Sequence, residues 1–205
     1  MHMFSPEEER RVSDAIAAAE RNTSGEIVVV VAARSDDYLY VPPLAAALIA
    51  LLVPWPLIFL TRLDVELIFL VQLAAFVVLT TLLMPFAVRS ALVPAAIKRR
   101  HAHRRAVEQF LVQNLHTTAE HTGVLIFVSA AEHHVEILAD ATIDAKVAPG
   151  SWQAIVDDLT AALAEGQAAD GLAGAIAAVG AHLGRHFPPG SRNANELPDH
   201  LIVLE

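Results

Sequence analysis

Four acidic side chains are placed where they could do chemistry. Asp140 and Asp144 follow the apolar run Val135-Glu136-Ile137-Leu138-Ala139, and Asp36 and Asp37 follow Ile27-Val28-Val29-Val30-Val31. Carboxylates at strand-to-loop junctions suit Ca²⁺ or Mg²⁺, hard ions that take roughly six to eight oxygen ligands. If both strands deliver their acids to the same edge of a sheet, the four form one divalent-cation site. If not, they cap helices and solvate loops, and the sequence leaves both readings open. Asp144-Ala145-Lys146-Val147 has no glycine-rich ion loop of the EF-hand type.

The histidines offer less. His182 and His186 are four apart, a spacing that puts two ligands on one helix face, but the string HLGRH lacks the Glu that a zinc hydrolase uses as its base. His133 and His134 are adjacent, so an extended backbone turns them to opposite faces and only one can join a site. His101 and His103 sit inside a basic cluster, where they would add pH-dependent charge. The chain has no cysteine, no G-x-S-x-G elbow and neither of the glycine-rich phosphate loops. Among enzyme classes, only metal-assisted hydrolysis through Asp140, Asp144 and Asp36 or Asp37 survives.

The elements that must position these groups read clearly. Ser5-Pro6-Glu7-Glu8 opens a helix with a capping box and a proline in its first turn, and Val12, Ile16 and Ala19 give that helix one apolar face. The β-branched run over 27–31 suits the middle of a sheet covered on both sides. Val107, Phe110, Leu111 and Leu115 follow helical spacing, and Val124 to Ser129 and Val135 to Ala139 read as a second and a third strand joined by a short turn. Two helices follow, one from Ser151 and one stopped by Phe187-Pro188-Pro189. The first helix and strand cannot form a core alone. Residues 1–37 are therefore expected to fold with residues 100–188 as one α/β sandwich.

Between these two pieces, residues 38–99 are of another kind. The whole chain of 205 residues is 55% hydrophobic and 18% charged, against roughly a quarter charged in soluble domains. That excess lies between Pro42 and Val88, where Arg62, Asp64 and Glu66 are the only charges. Leu44–Thr61 and Leu67–Val88 are each long enough to cross a bilayer, which takes about 17–25 helical residues. Neither shows the polar face of a soluble core helix. Two transmembrane helices joined by a tight turn are the expectation, with Pro54-Trp55-Pro56 kinking the first or making it re-entrant. Arg89, Lys98, Arg99, Arg100, Arg104 and Arg105 follow the second span, whereas the loop carries only Arg62. By the positive-inside rule both termini are cytoplasmic, in an inner membrane. Residues 1–11 contain no apolar stretch of a cleaved signal peptide. The basic cluster suits anionic lipid headgroups. Nucleic acid is disfavoured by the formal charge of −9 and by the absence of interleaved aromatics.

Ser24-Gly25-Glu26-Ile27-Val28-Val29-Val30, Thr122-Gly123 with the strand after it, and Val135 to Asp140 with Ile143-Asp144 resemble the TPM domain. Trp152, Gly171-Leu172, His186-Phe187-Pro188 and Asn195-Glu196-Leu197-Pro198-Asp199 are similar to its bacterial membrane-bound branch. The resemblance implies a small α/β sandwich, here interrupted by a two-helix transmembrane hairpin. It also implies a phosphatase-like domain in which some relatives act weakly on phosphate esters and some bind calcium through acidic loops. Asp140, and more loosely Asp144, are the positions that carry over. Glu132-His133-His134 stands where an Asp-Arg pair is common in the family, a departure that sets this chain apart from an extracytoplasmic phosphatase.

The reading that follows is a membrane-anchored TPM-like protein with its folded domain on the cytoplasmic face, serving as a protein-binding or membrane-protein quality-control module. Its partners would be the lipid bilayer, anionic headgroups and a membrane protein. The alternatives are a weak phosphatase dependent on Ca²⁺ or Mg²⁺ and a subunit of a small transporter. The tail, residues 189–205, ends in Leu201-Ile202-Val203-Leu204, too short to span and suited to adding a strand or covering a groove.

Overall fold

A computed structural model describes residues 3–118, 121–189, 197 and 199–204. The chain divides into two compact units, Met1–Ser35 with Arg99–Glu205, and Asp36–Lys98. In chain order the elements begin with α1 (Pro6–Glu20) and β1 (Glu26–Ala32). Next come α2 (Val41–Ala50), α3 (Pro54–Leu60), α4 (Val65–Leu83) and α5 (Phe86–Ala91). Helix α6 (Ala95–Val112) precedes β2 (Gly123–Ser129), β3 (His134–Ala139) and the short α7 (Ala141–Asp144). Helices α8 (Ser151–Ala164) and α9 (Ala168–His186) lead to β4 (Ile202–Leu204).

The first unit is built on a four-stranded sheet in the order β3-β2-β1-β4. Strand β1 pairs in parallel with β2, Val29 opposite Ile126, and in parallel with β4, Val31 opposite Val203. Strand β3 returns antiparallel along β2. Every residue of β1 and β2 is buried. Alternate side chains face two different cores, as the pleat requires. Val29, Val31, Ile126 and Val128 meet Val12 and Ile16 of α1, Leu159 of α8 and Ile176 of α9. Val28, Val30, Leu125 and Phe127 meet Ala106 of α6 and Leu115. The result is an α/β sandwich with helices on both sides of the sheet.

Local chemistry sets the ends of these elements. The Ser5 hydroxyl accepts from the Glu8 amide at 3.3 Å while the Glu8 carboxylate accepts from the Ser5 amide at 2.7 Å, completing the capping box of α1. The β2–β3 turn is closed by His133 in the left-handed region, φ 49°. Where β1 ends, the Ser35 amide donates to the Glu132 carboxylate at 2.9 Å, and the Ser35 and Ser129 hydroxyls are 2.7 Å apart. The Ser129 hydroxyl also donates to Glu132. This polar knot fixes the exit of β1 against the β2–β3 turn. The apolar tail adds a strand, as its composition allows. Residues 190–196 and 198, with the Asn195-Glu196 and Pro198 positions of the motif, lie outside the described residues.

In the second unit α2 and α4 pack together, with a smaller contribution from α3. Helix α2 ends at Ala50 and α3 begins at Pro54, so the Pro54-Trp55-Pro56 string does break the helix. Helix α4 stops at Leu83, because Pro85 has no amide to continue it. The second apolar helix therefore covers Val65–Leu83, shorter than the charge-free run to Val88. Val41–Leu60 and Val65–Leu83 are both long and apolar enough to cross a membrane. Their large side chains face outward, with Phe59 75% and Leu60 82% exposed.

Helices α1 and α9 approach most closely at Gly180, where a Cβ would lie 2.7 Å from Ala19 Cβ, closer than real Cβ atoms come. At Gly174, on the same helix, a Cβ meets nothing within 4 Å. Alanine normally favours a helix over glycine. Gly174→Ala is therefore expected to stabilise by up to about 1 kcal/mol. Gly180→Ala is expected to destabilise by about 1–3 kcal/mol because the helices must separate. Thermal unfolding of the two variants, compared with the parent, checks this opposite sign.

Candidate functional site

The acids singled out by their sequence positions belong to different units, Asp140 and Asp144 to the first and Asp36 and Asp37 to the second. The Asp140 amide donates to the carbonyl of Gly123, the first residue of β2, at 3.0 Å. Glu26, the first residue of β1, is level with Gly123. Asp140 is therefore at the amino end of the parallel strands. Asp36 and Asp37 follow Ser35, which bonds to Ser129 and Glu132 at the carboxyl end. A strand of seven residues separates the ends, roughly 20 Å at about 3.3 Å per residue. Strand β3 runs antiparallel and carries Asp140 back to the start of β2.

Each acid also has a local task. Asp140 precedes α7 and its carboxylate lies 3.7 Å from His121 Nδ1. The Asp144 carboxylate accepts from the Trp152 indole at 2.9 Å. Trp152 in turn meets the His182 ring edge-on at 5.8 Å, so α7, α8 and α9 are tied together and His182 packs against an aromatic ring. His186 is the last residue of α9. In the second unit Asp36 accepts from the Tyr38 amide at 2.7 Å, and Asp37 lies 3.8 Å from the Arg89 guanidinium. Among the described residues, no three His, Asp or Glu side chains gather to hold a metal ion.

Two groupings arise that the sequence pattern did not assemble. At the amino end, Glu20 on the last turn of α1 accepts from the Ile27 amide at 2.8 Å, and it lines a cleft of about 160 Å³ with Glu26 and Asp199. Burial pushes the Glu20 carboxyl up to about 8 against the Ile27 hydrogen bond, with the neighbouring Glu26 and Asp199 adding to the rise. Toward the carboxyl end, Glu136 of β3 is held between two histidines. His103 Nδ1 of α6 donates to one carboxylate oxygen at 2.6 Å and His134 Nε2 to the other at 3.2 Å. Burial acts to raise Glu136, but the hydrogen bonds from His134 and His103 and their charge leave it below its ordinary value. His134 and Glu136 share a strand face by their spacing of two, a signal the sequence did contain. Nothing in the sequence placed His103 opposite them. The arrangement can hold and pass a proton, but the nearby Thr160 hydroxyl is spent on the Val156 carbonyl at 2.6 Å.

Among the basic residues, the Arg89 side chain is 11% exposed, with its guanidinium carbon 5.4 Å from the centre of the Phe86 ring. Arg105 bonds Glu108 at 2.9 Å. Arg99, Arg100 and Arg104 are exposed. Ala102, Ala106 and Gln109 form the buried stripe of α6.

Residues 88–182 match the TPM domain family. This stretch holds β2, β3 and the helices around them, while α1 and β1 lie before it and β4 after it. The chain is also similar to the BA42 protein of the psychrophilic bacterium Bizionia argentinensis, whose structure was solved by NMR. The two share 20% identity and a TM-score of 0.62 over 98% of this chain and 96% of that one, a likeness of fold. No curated protein matches the chain.

The raised Glu20 carboxyl has a definite pH signature. Between its ordinary value of 4.5 and about 8 the folded chain holds a proton that the unfolded chain has released. The penalty on folding is absent below that window, grows as pH rises through it and is complete above it. Glu20→Gln is therefore expected to raise the unfolding temperature at pH 8.5, to change it little at pH 5, and to flatten the profile between them.

Proposed function

We propose that this chain is a membrane-anchored TPM-domain protein whose domain faces the cytoplasm and binds a protein partner, serving membrane-protein quality control rather than catalysis. The observation that carries the reading is the second unit itself. Two apolar helices with outward-facing Leu and Phe side chains are inserted between β1 and α6 of an α/β sandwich. Apolar surface of that extent is unfavourable in water and suits lipid. The arginine bias after the helices favours a cytoplasmic domain, and the exposed Arg99, Arg100 and Arg104 suit anionic headgroups. Arg89, turned onto Asp37 and Phe86, contributes less to that surface. The Asp144 carboxylate is engaged by the Trp152 indole, which weighs against its serving as a ligand in a metal-dependent phosphatase.

Because the sequence has no cysteine, single cysteines report topology without background. In intact cells an impermeant maleimide is expected to label Leu63→Cys in the loop between the apolar helices and not Asp158→Cys on α8. In inverted vesicles the pattern should reverse. Labelling of Asp158→Cys from outside would overturn the cytoplasmic orientation. The purified protein is further expected to show no turnover of a generic phosphate ester with Ca²⁺ or Mg²⁺. Turnover that disappears in Asp140→Ala would replace the binding reading with an enzymatic one.

A further inference from the structure

Two cavities share a wall, one at the carboxyl ends of β1 and β2 and the other between the edge strand β3 and α8. One, of about 450 Å³, is lined chiefly by apolar side chains, among them Phe4, Val31, Val135 and Leu163. The other, of about 570 Å³, is polar and charged, with Arg99, Glu136, Gln153 and Asp157 on its sides and Trp152 beside them. His133, His134, Val135 and Thr160 belong to both. Each volume is in the range of small-molecule sites, about 300–1,000 Å³. The apolar cavity is also where open α/β sheets take ligands, outside the carboxyl ends of parallel strands.

Joined cavities of unlike lining select a ligand with two unlike ends. An apolar chain fits the first, where Phe4 and Val135 are buried around it. The second presents both signs of charge, so neither a simple anion nor a simple cation meets its complement on every side. The Arg99 guanidinium and the histidine rings can donate to a phosphate. Asp157, whose carboxylate takes one bond from Gln153 at 2.8 Å, and Glu136 can face an ammonium, for which the Trp152 ring is also a favourable surface.

We propose that this double cleft binds a single-chain phospholipid with a zwitterionic head, its acyl chain between α8 and the sheet and its phosphate and ammonium groups in the charged half. The site lies wholly within the α/β unit and does not depend on which side of a membrane that unit occupies.

The chain has two tryptophans, Trp55 and Trp152, and Trp152 lines the charged half. In Trp55→Phe protein held in phosphatidylcholine nanodiscs, Trp152 alone reports. Titration with dibromostearoyl lysophosphatidylethanolamine is expected to quench it saturably, because bromine on the chain quenches only at close range. Ala164→Phe, an exposed position on the apolar cavity, should abolish the saturable component without changing the unfolding temperature of the unliganded protein. Arg99→Gln should weaken binding about tenfold, the loss of one charge-assisted hydrogen bond. Competition should follow lysophosphatidylethanolamine over oleate, lysophosphatidate and oleylamine. Quenching that never saturates, or that both variants leave unchanged, overturns the site. Saturable quenching for which oleate or oleylamine competes as well as the zwitterion overturns the assignment of the head.

Discussion

Parallel pairing of β1 with both of its neighbours is the constraint on which the rest depends. Parallel strands cannot be joined by a tight turn and need a crossover of about a dozen residues or more. The connection from β1 to β2 is such a crossover, and the whole second unit is contained in it. The cost of closing a longer connection grows slowly, about 0.6 kcal/mol for each doubling of its length. An apolar hairpin can therefore be accommodated there while the register of the sheet is preserved. A strand buried along its full length also needs cover on both faces. On one face that cover comes from α1, α8 and α9, and on the other from α6, the helix that follows the insertion.

The same topology decides what the polar groups can do together. With β1 and β2 parallel and β3 reversed, Asp140 returns to the end of the sheet where β1 and β2 begin. The amino end gathers Glu20, Glu26 and Asp199, and like charges in partial burial favour retention of a proton. The carboxyl-end knot of Ser35, Ser129 and Glu132 anchors the point where the chain leaves the sheet. Glu136, His103 and His134 tie α6 to the edge strand β3. Glu132 and His133 build the turn between β2 and β3.

Periodicity made most of the fold legible. The β-branched runs fixed β1 and β2, the capping box fixed the start of α1, and Pro54 marked the break between α2 and α3. The direction of pairing was not legible, because a strand's side chains alternate in the same way whether its neighbour is parallel or antiparallel. That is why the sequence left open whether Asp36 and Asp140 share an edge. The His103 to Glu136 bond was hidden for a related reason: it joins a helix to a strand 33 positions later, and no local spacing encodes that meeting. Glu20 closes the last turn of α1, and the cleft it lines with Glu26 includes Asp199, far along the chain.

The tail shows how little holds the least secure part of the sheet. Strand β4 makes three pairs with β1, against seven between β1 and β2, and its side chains are only half buried. Short edge strands with few buried contacts open most readily. Two residues before Leu201, Asp199 lines a cleft with Glu20 and Glu26 and adds to the rise of the Glu20 carboxyl. The attachment of the tail is supported by apolar burial at Leu201. Strand β4 can then cover the edge of β1 with only three residues.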